Sequence, residues 1–139
     1  MFLLDTNVIS ELRHGKPQQS AAVRAWAEEQ PVQQLYLSSI TVLELEMGVL
    51  RMERKDRSQS KVLRAWVEAV FQQFEGQVLP FAAETARRCA VMHVPDAKSM
   101  RDSMIAATAL QQGFTLVTRN VADFDGIKIK LINPREAQV

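Results

Sequence analysis

Phe2-Leu3-Leu4-Asp5-Thr6-Asn7 opens the chain with three apolar residues that stop on a carboxylate followed by two small hydrogen-bonding side chains. Ligands of open α/β sheets collect in the crevice outside the carboxyl ends of the strands, so an acid at the first such end is placed for chemistry. Asp is also a preferred helix N-cap, and capping the helix that follows is the alternative role for Asp5.

Working outward, further short apolar runs predict strands at Phe2 to Leu4, Leu35 to Leu37, Val78-Leu79, Thr115 to Thr118 and Lys128 to Ile132. Helical stretches separate them. From Lys61 to Phe74 the apolar residues Leu63, Trp66, Val67, Val70, Phe71 and Phe74 recur at three and four, one continuous stripe that must pack on something. Gly76 ends that helix, and Pro80 precedes another from about Ala82 to Met92. Gly15 to Pro17 has the composition of a turn, and Ser20 through Glu28 reads as helix. Ser38 or Ser39 can cap a helix running to about Lys55. Strands alternating with helices predict an α/β fold with a short, mostly parallel central sheet of four to five strands flanked by helices.

The chain of 139 residues carries no internal repeat, low-complexity tract or linker, so residues 1–139 are expected to form one domain with a core that needs no disulfide. Cys89 stands alone in an apolar helical stretch and is expected as a small buried hydrophobe. No apolar run approaches membrane-spanning length, which leads to the expectation of a cytoplasmic protein with no membrane partner. The net charge of +1 points to no polyanion by itself.

Later carboxylates repeat the signal of Asp5. In the predicted helix from about Ser99 to Gln112, Asp102 shares a face with Ile105, Ala106 and Ala109. An acid on a face that packs against a sheet is costly without a cation or several donors. Its place in the first turn also suits the helix dipole, which accounts for its position along the helix but not for its face. After the strand Thr115-Leu116-Val117-Thr118 comes Arg119-Asn120-Val121-Ala122-Asp123-Phe124-Asp125-Gly126, again acidic beyond a strand end. Asn120 capping a short turn closed by Gly126 is the structural alternative there. The helix after Ser39 offers Glu44 and Glu46, one on each flank of the stripe Ile40, Leu43, Met47 and Leu50. Periodicity does not choose between them.

Leu4-Asp5-Thr6-Asn7, then Ser39 to Leu45 with Gly48, then Arg101-Asp102-Ser103-Met104-Ile105-Ala106-Ala107-Thr108-Ala109, then Val117-Thr118-Arg119-Asn120 with Asp123-Phe124, follow one another in an order that resembles a bacterial PIN domain. The resemblance runs from residue 2 to about 134 and is strongest to VapC toxins of type II toxin–antitoxin modules, including the FitB-like branch. It implies a magnesium-dependent ribonuclease with Asp5, Glu44, Asp102 and Asp123 as its acids, and it selects Glu44 over Glu46. Thr6, Asn7, Thr118 and Asn120 match positions that line the site with hydrogen bonds. It also implies a homodimer, a VapB-like antitoxin that assembles it further, and operator DNA bound through the complex. RNA is the implied substrate, with tRNA among the candidates. The approach to Asp102, Val94 to Arg101, is more charged than the family pattern, which leaves Asp96 and Arg101 without an assigned role.

Four gathered carboxylates repel one another unless cations neutralise them, so such a cluster selects metal. With no His or Cys pair at ligand spacing, oxygen ligation favours Mg²⁺ or Mn²⁺ over Zn²⁺. Asp5 and Asp102 are assigned as principal ligands, with Glu44 and Asp123 ordering water around the ion or holding a second one. The only histidines, His14 and His93, are expected on the surface or in loops, which argues against a histidine acid–base ribonuclease. An aspartyl phosphatase would need a second acid where Asn7 stands. The competing readings are another metal-dependent phosphoryl-transfer enzyme and a non-catalytic module whose acidic pocket captures a basic peptide, with Trp26 or Trp66 as anchors unless both lie in the core. The basic cluster Arg51, Arg54, Lys55, Arg57 and Lys61 is broken by Glu53 and Asp56 and reads better as a solvated helix end than as an RNA grip.

Overall fold

Leu3 and Leu4 are adjacent and both wholly buried, because β1 (Phe2–Leu4) is the middle strand of a sheet covered on both faces. The computed structural model describes residues 1–13 and 20–136. His14 and the turn expected at Gly15 to Pro17 lie outside the described residues. The remaining strands are β2 (Leu35–Ser38), β3 (Val78–Leu79), β4 (Thr115–Val117) and β5 (Leu131–Ile132), in spatial order β3-β2-β1-β4-β5. All four pairings are parallel, with Leu4 opposite Val117 and Leu3 opposite Tyr36.

The helices are α1 (Thr6–Glu11), α2 (Ala21–Glu29), α3 (Ser39–Lys55), α4 (Arg57–Gln73), α5 (Ala83–Met92) and α6 (Met100–Gln112). Short 3-10 turns cover Val32–Gln34 and Val121–Phe124. Alternation along the strands divides the core. Leu4 and Val117 face a cluster with Val8, Val23, Trp26, Val49, Val67 and Phe74, while Leu3 and Leu116 face Ile40, Ile105, Ala106, Ala109 and Phe124. Trp26 lies in the first cluster, edge-on to Phe2 at 5.2 Å between ring centroids, and Trp66 packs against it. Both tryptophans therefore serve the core. Cys89 is buried, as its apolar surroundings predict.

Three boundaries differ from the periodic pattern. Helix α4 begins at Arg57, four residues before the expected start at Lys61, because the Asp56 side chain accepts from Gln59 N at 3.2 Å and caps it. The same cap places the basic cluster at an exposed α3–α4 corner. Strand β5 is confined to Leu131–Ile132, since Ile127 and Ile129 fold into the second cluster and Ile129 N closes a tight turn on Ile127 O at 3.0 Å. Strand β4 stops at Val117: the Thr118 amide still bonds Ile132 O, but its side chain turns into the crevice. Among the described residues no helix is long and apolar enough to cross a membrane.

Candidate active site at the carboxyl end of the sheet

From β1 the chain steps to β2 and β3 on one side, then crosses to β4 on the other. The strand order thus reverses between β1 and β4, and a crevice opens beyond their carboxyl ends. Asp5 and Thr118 face each other there. Thr118 Oγ1 donates to Asp5 Oδ2 at 2.8 Å, Asn7 Nδ2 approaches the same oxygen at 3.4 Å, and Thr6 N donates to Oδ1 at 2.8 Å. The last bond makes Asp5 the N-cap of α1, so its two expected roles coexist. Asp5 is only 5% exposed. Burial pushes its carboxyl up from 3.8 to about 6; bonds from Thr118 and Thr6 oppose the rise, and the charges of Asp102 and Glu44 add to it.

Glu44, half-buried on α3, turns toward this crevice. Its Oε1 accepts from Thr6 Oγ1 at 2.8 Å, and Thr6 Oγ1 lies 2.9 Å from Thr41 Oγ1. Since Thr6 spends its proton on Glu44, Thr41 donates to Thr6. Thr41 is in turn held at the start of α3, where its amide donates to Ser38 Oγ at 3.1 Å. Ser38, not Ser39, is the cap. Glu46 points the other way, paired with Arg64 of α4, and the Arg64 guanidinium is held more firmly protonated by that partner. The choice between the two glutamates thus rests on a tertiary ion pair.

Asp102 occupies the first turn of α6, half-buried, and its charge reaches Asp5. Arg101 beside it extends to Glu44, Nη1 to Oε2 at 3.5 Å. Asn120 N and Asn7 Nδ2 both donate to Thr118 Oγ1, at 3.1 and 3.3 Å, and Arg119 N donates to Asn7 Oδ1 at 3.2 Å, tying the loop after β4 to α1. Asp123 is exposed on the Val121–Phe124 turn, and the two charges acting on Asp5 are those of Asp102 and Glu44. Three of the four expected acids are therefore gathered, and Asp123 is not among them.

A hard dication suits this donor set in charge and chemistry: a buried carboxylate carries the repulsion of two others, and the acids offer only oxygen. Among the described residues no group of three or more His, Cys, Asp or Glu side chains is placed to hold a metal ion as it stands. The fit is one of charge and donor type, with side-chain adjustment needed to close round an ion.

Residues to which the sequence assigned no part in the site complete the surroundings. Thr41 and Ser38 form the hydroxyl chain behind Glu44, and buried Glu11 binds Arg119 Nη1 at 2.5 Å and Arg135 Nη2 at 3.1 Å. His93 departs from expectation: it closes α5, is half-buried, and lies 2.7 Å through Nε2 from Oγ of the wholly buried Ser103.

A five-stranded parallel sheet with acids gathered at its reversal point defines an α/β protein of the PIN type. The PIN domain family matches residues 2–129, and the chain belongs to it. Within that family it stands among the VapC and FitB proteins. It is 38% identical to VapC ribonuclease Y4jK of Sinorhizobium fredii over 98% of this chain and 99% of the relative. It is 37% identical to Toxin FitB of Neisseria gonorrhoeae over 96% of this chain and 98% of the relative. The solved structure of FitAB bound to an IR36 DNA fragment superimposes with a TM-score of 0.89 at 34% identity, covering 100% of this chain and 99% of that one.

Proposed function

We propose that this chain, acting as one unit over residues 1–139, is a divalent-metal-dependent endoribonuclease and the toxin of a type II toxin–antitoxin module. The observation that carries the reading is Asp5, a carboxylate buried at the sheet's reversal point and pressed by the charges of Asp102 and Glu44. A family whose relatives are named ribonucleases and toxins supports the substrate class.

Asp5 and Asp102 are the residues to hold Mg²⁺ or Mn²⁺, with Glu44 and Asp123 as flanking acids. When bound, the ion supplies Lewis-acid polarisation of a phosphate oxygen, a more acidic water, and compensation of charge on the leaving oxygen. Thr118, Asn7 and the Thr6 amide fix the direction of Asp5, and the Thr6 hydroxyl fixes Glu44. Holding both carboxylates by donors keeps them oriented before substrate arrives, so less reorganisation is needed during the reaction.

The relation to FitAB supports a VapB-like antitoxin as partner and DNA binding through the complex, and the reading includes inhibition by that partner. A homodimer, assembled further by antitoxin, and action on cytoplasmic RNA complete the reading, with tRNA the first substrate to examine. Expression of the chain alone should arrest growth, and Asp5→Asn or Asp102→Asn should abolish the arrest in folded protein. Sequencing of RNA 5′ ends after brief induction identifies the target. Continued arrest by both folded variants overturns the enzymatic reading in favour of a binding module.

A further inference from the structure

We propose that His93 is a positioning residue for the acidic site, holding the first turn of α6 and with it Asp102 and Arg101. The inference rests on Asp102 being a working carboxylate of the site described above.

Helix α6 begins without the usual aid, because its N-cap residue Ser99 makes no side-chain cap bond. The imidazole of His93 takes over from the end of α5. Its Nδ1 accepts from Lys98 N at 3.2 Å, just before the helix starts. A neutral ring that accepts at Nδ1 carries its proton on Nε2, so Nε2 donates to Ser103 Oγ at 2.7 Å. Ser103 Oγ passes its own proton to Met100 O at 2.7 Å and also accepts from the Cys89 thiol at 3.4 Å. Every polar atom of this group thus has one direction of donation. His93 clasps Lys98, two residues before α6, and Ser103 near the end of its first turn, and Arg101 and Asp102 lie between the two points.

Ser103 is wholly buried, so water does not replace a lost bond to it without opening the helix start. Removing the ring takes away both of its bonds and loosens the start of α6. That suffices, because carboxylates that bind an ion or a phosphate must be held closely.

The test uses the full chain as wild type, His93→Ala, His93→Gln and Ser103→Ala. Three quantities are read: amide hydrogen exchange at Lys98 to Ser103, Mn²⁺ affinity by titration calorimetry, and kcat and KM for RNA cleavage. In His93→Ala, exchange at Lys98 and Ser103 should quicken, kcat and Mn²⁺ affinity should each fall about tenfold, and KM should hold. Gln carries an amide nitrogen at the reach of Nε2, so His93→Gln should recover most of the lost kcat. Should His93→Ala not fold, Ser103→Ala leaves the ring in place, removes its acceptor together with the bonds to Met100 O and the Cys89 thiol, and carries the same expectation. A folded variant that melts earlier but keeps wild-type kcat and Mn²⁺ affinity overturns the proposal and leaves His93 as packing. A wild-type chain that cleaves no RNA defeats the ribonuclease reading instead, and exchange with Mn²⁺ affinity still decides the role of His93.

Discussion

Arg101 on α6 reaches across the crevice to Glu44 on α3, Nη1 to Oε2 at 3.5 Å, and so places a cation against one of the three gathered acids. The guanidinium is about half exposed, which limits the worth of the pair as a stabilising contact. Its effect on the site's charge is another matter. Removing it returns the full repulsion of Glu44 to its neighbours and makes a dication more welcome. Arg101→Ala should therefore tighten Mn²⁺ binding roughly twofold to fivefold at low salt, the worth of an exposed ion pair. The gain should shrink as ionic strength rises, since exposed charges are screened. Titration calorimetry at two salt concentrations measures both; weaker binding in the variant would mean that Arg101 orders Glu44 for the ion instead.

Asp5 makes the fold depend on pH in an unusual sense. Its folded value of about 6 exceeds 3.8, so the folded chain holds this proton more tightly than the unfolded chain does. The stability due to this group is complete below about pH 3.8, falls as pH rises through about 6, and stays low above that. The shift is worth at most about 3 kcal/mol. Asp5→Asn should accordingly be more stable than wild type at pH 8 without metal, and the difference should close near pH 4. Asn retains an acceptor for Thr6 N and carries no charge to be buried or set against Asp102 and Glu44. Mg²⁺ should narrow the gap by stabilising the wild type alone. Urea unfolding of both proteins at the two pH values, with and without Mg²⁺, checks the sign.

Much of this was legible from local pattern, and what was not depended on partners distant in the chain. An apolar run ending on Asp-Thr-Asn announced a strand end with polar duty, and the structure adds that Asp5 caps α1 while facing the other acids. Glu44 and Glu46 flank the same stripe at similar angles, and the contacts that separate them come from far along the chain: Arg64, 18 residues beyond Glu46, and Thr6 and Arg101, which meet Glu44. Asp56 caps α4 ahead of any apolar residue, which hides that helix start from a reading based on periodicity. A lone histidine likewise has no period to betray it. His93 gains its meaning from Lys98 and Ser103, which meet it only once α5 and α6 are packed. Thr41 was the nearest to visible, a β-branched hydroxyl residue at the start of an otherwise apolar stripe.

Glu11 is buried at the end of α1, where it binds Arg119 Nη1 at 2.5 Å, Arg135 Nη2 at 3.1 Å and Ser20 N at 3.0 Å. One acid thus joins α1, the start of α2, the loop after β4 and the C-terminal segment. Arg119 lies between Thr118 and Asn120, so the same acid steadies the loop beside Asp5. Breaking a buried pair from one side leaves an uncompensated charge, and Glu11→Ala should cost about 3 to 5 kcal/mol of stability. Arg135 is 43% exposed and can turn to water, whereas Arg119 is 24% exposed and cannot do so as easily. The double variant Glu11→Leu with Arg119→Leu should therefore lose less stability than the sum of the two single changes. Chemical denaturation of the four proteins as a double-mutant cycle measures the coupling. Additivity would mean that Glu11 and Arg119 are held independently, and the loop after β4 would then owe its place to its bonds with Asn7, Thr118 and Asn133.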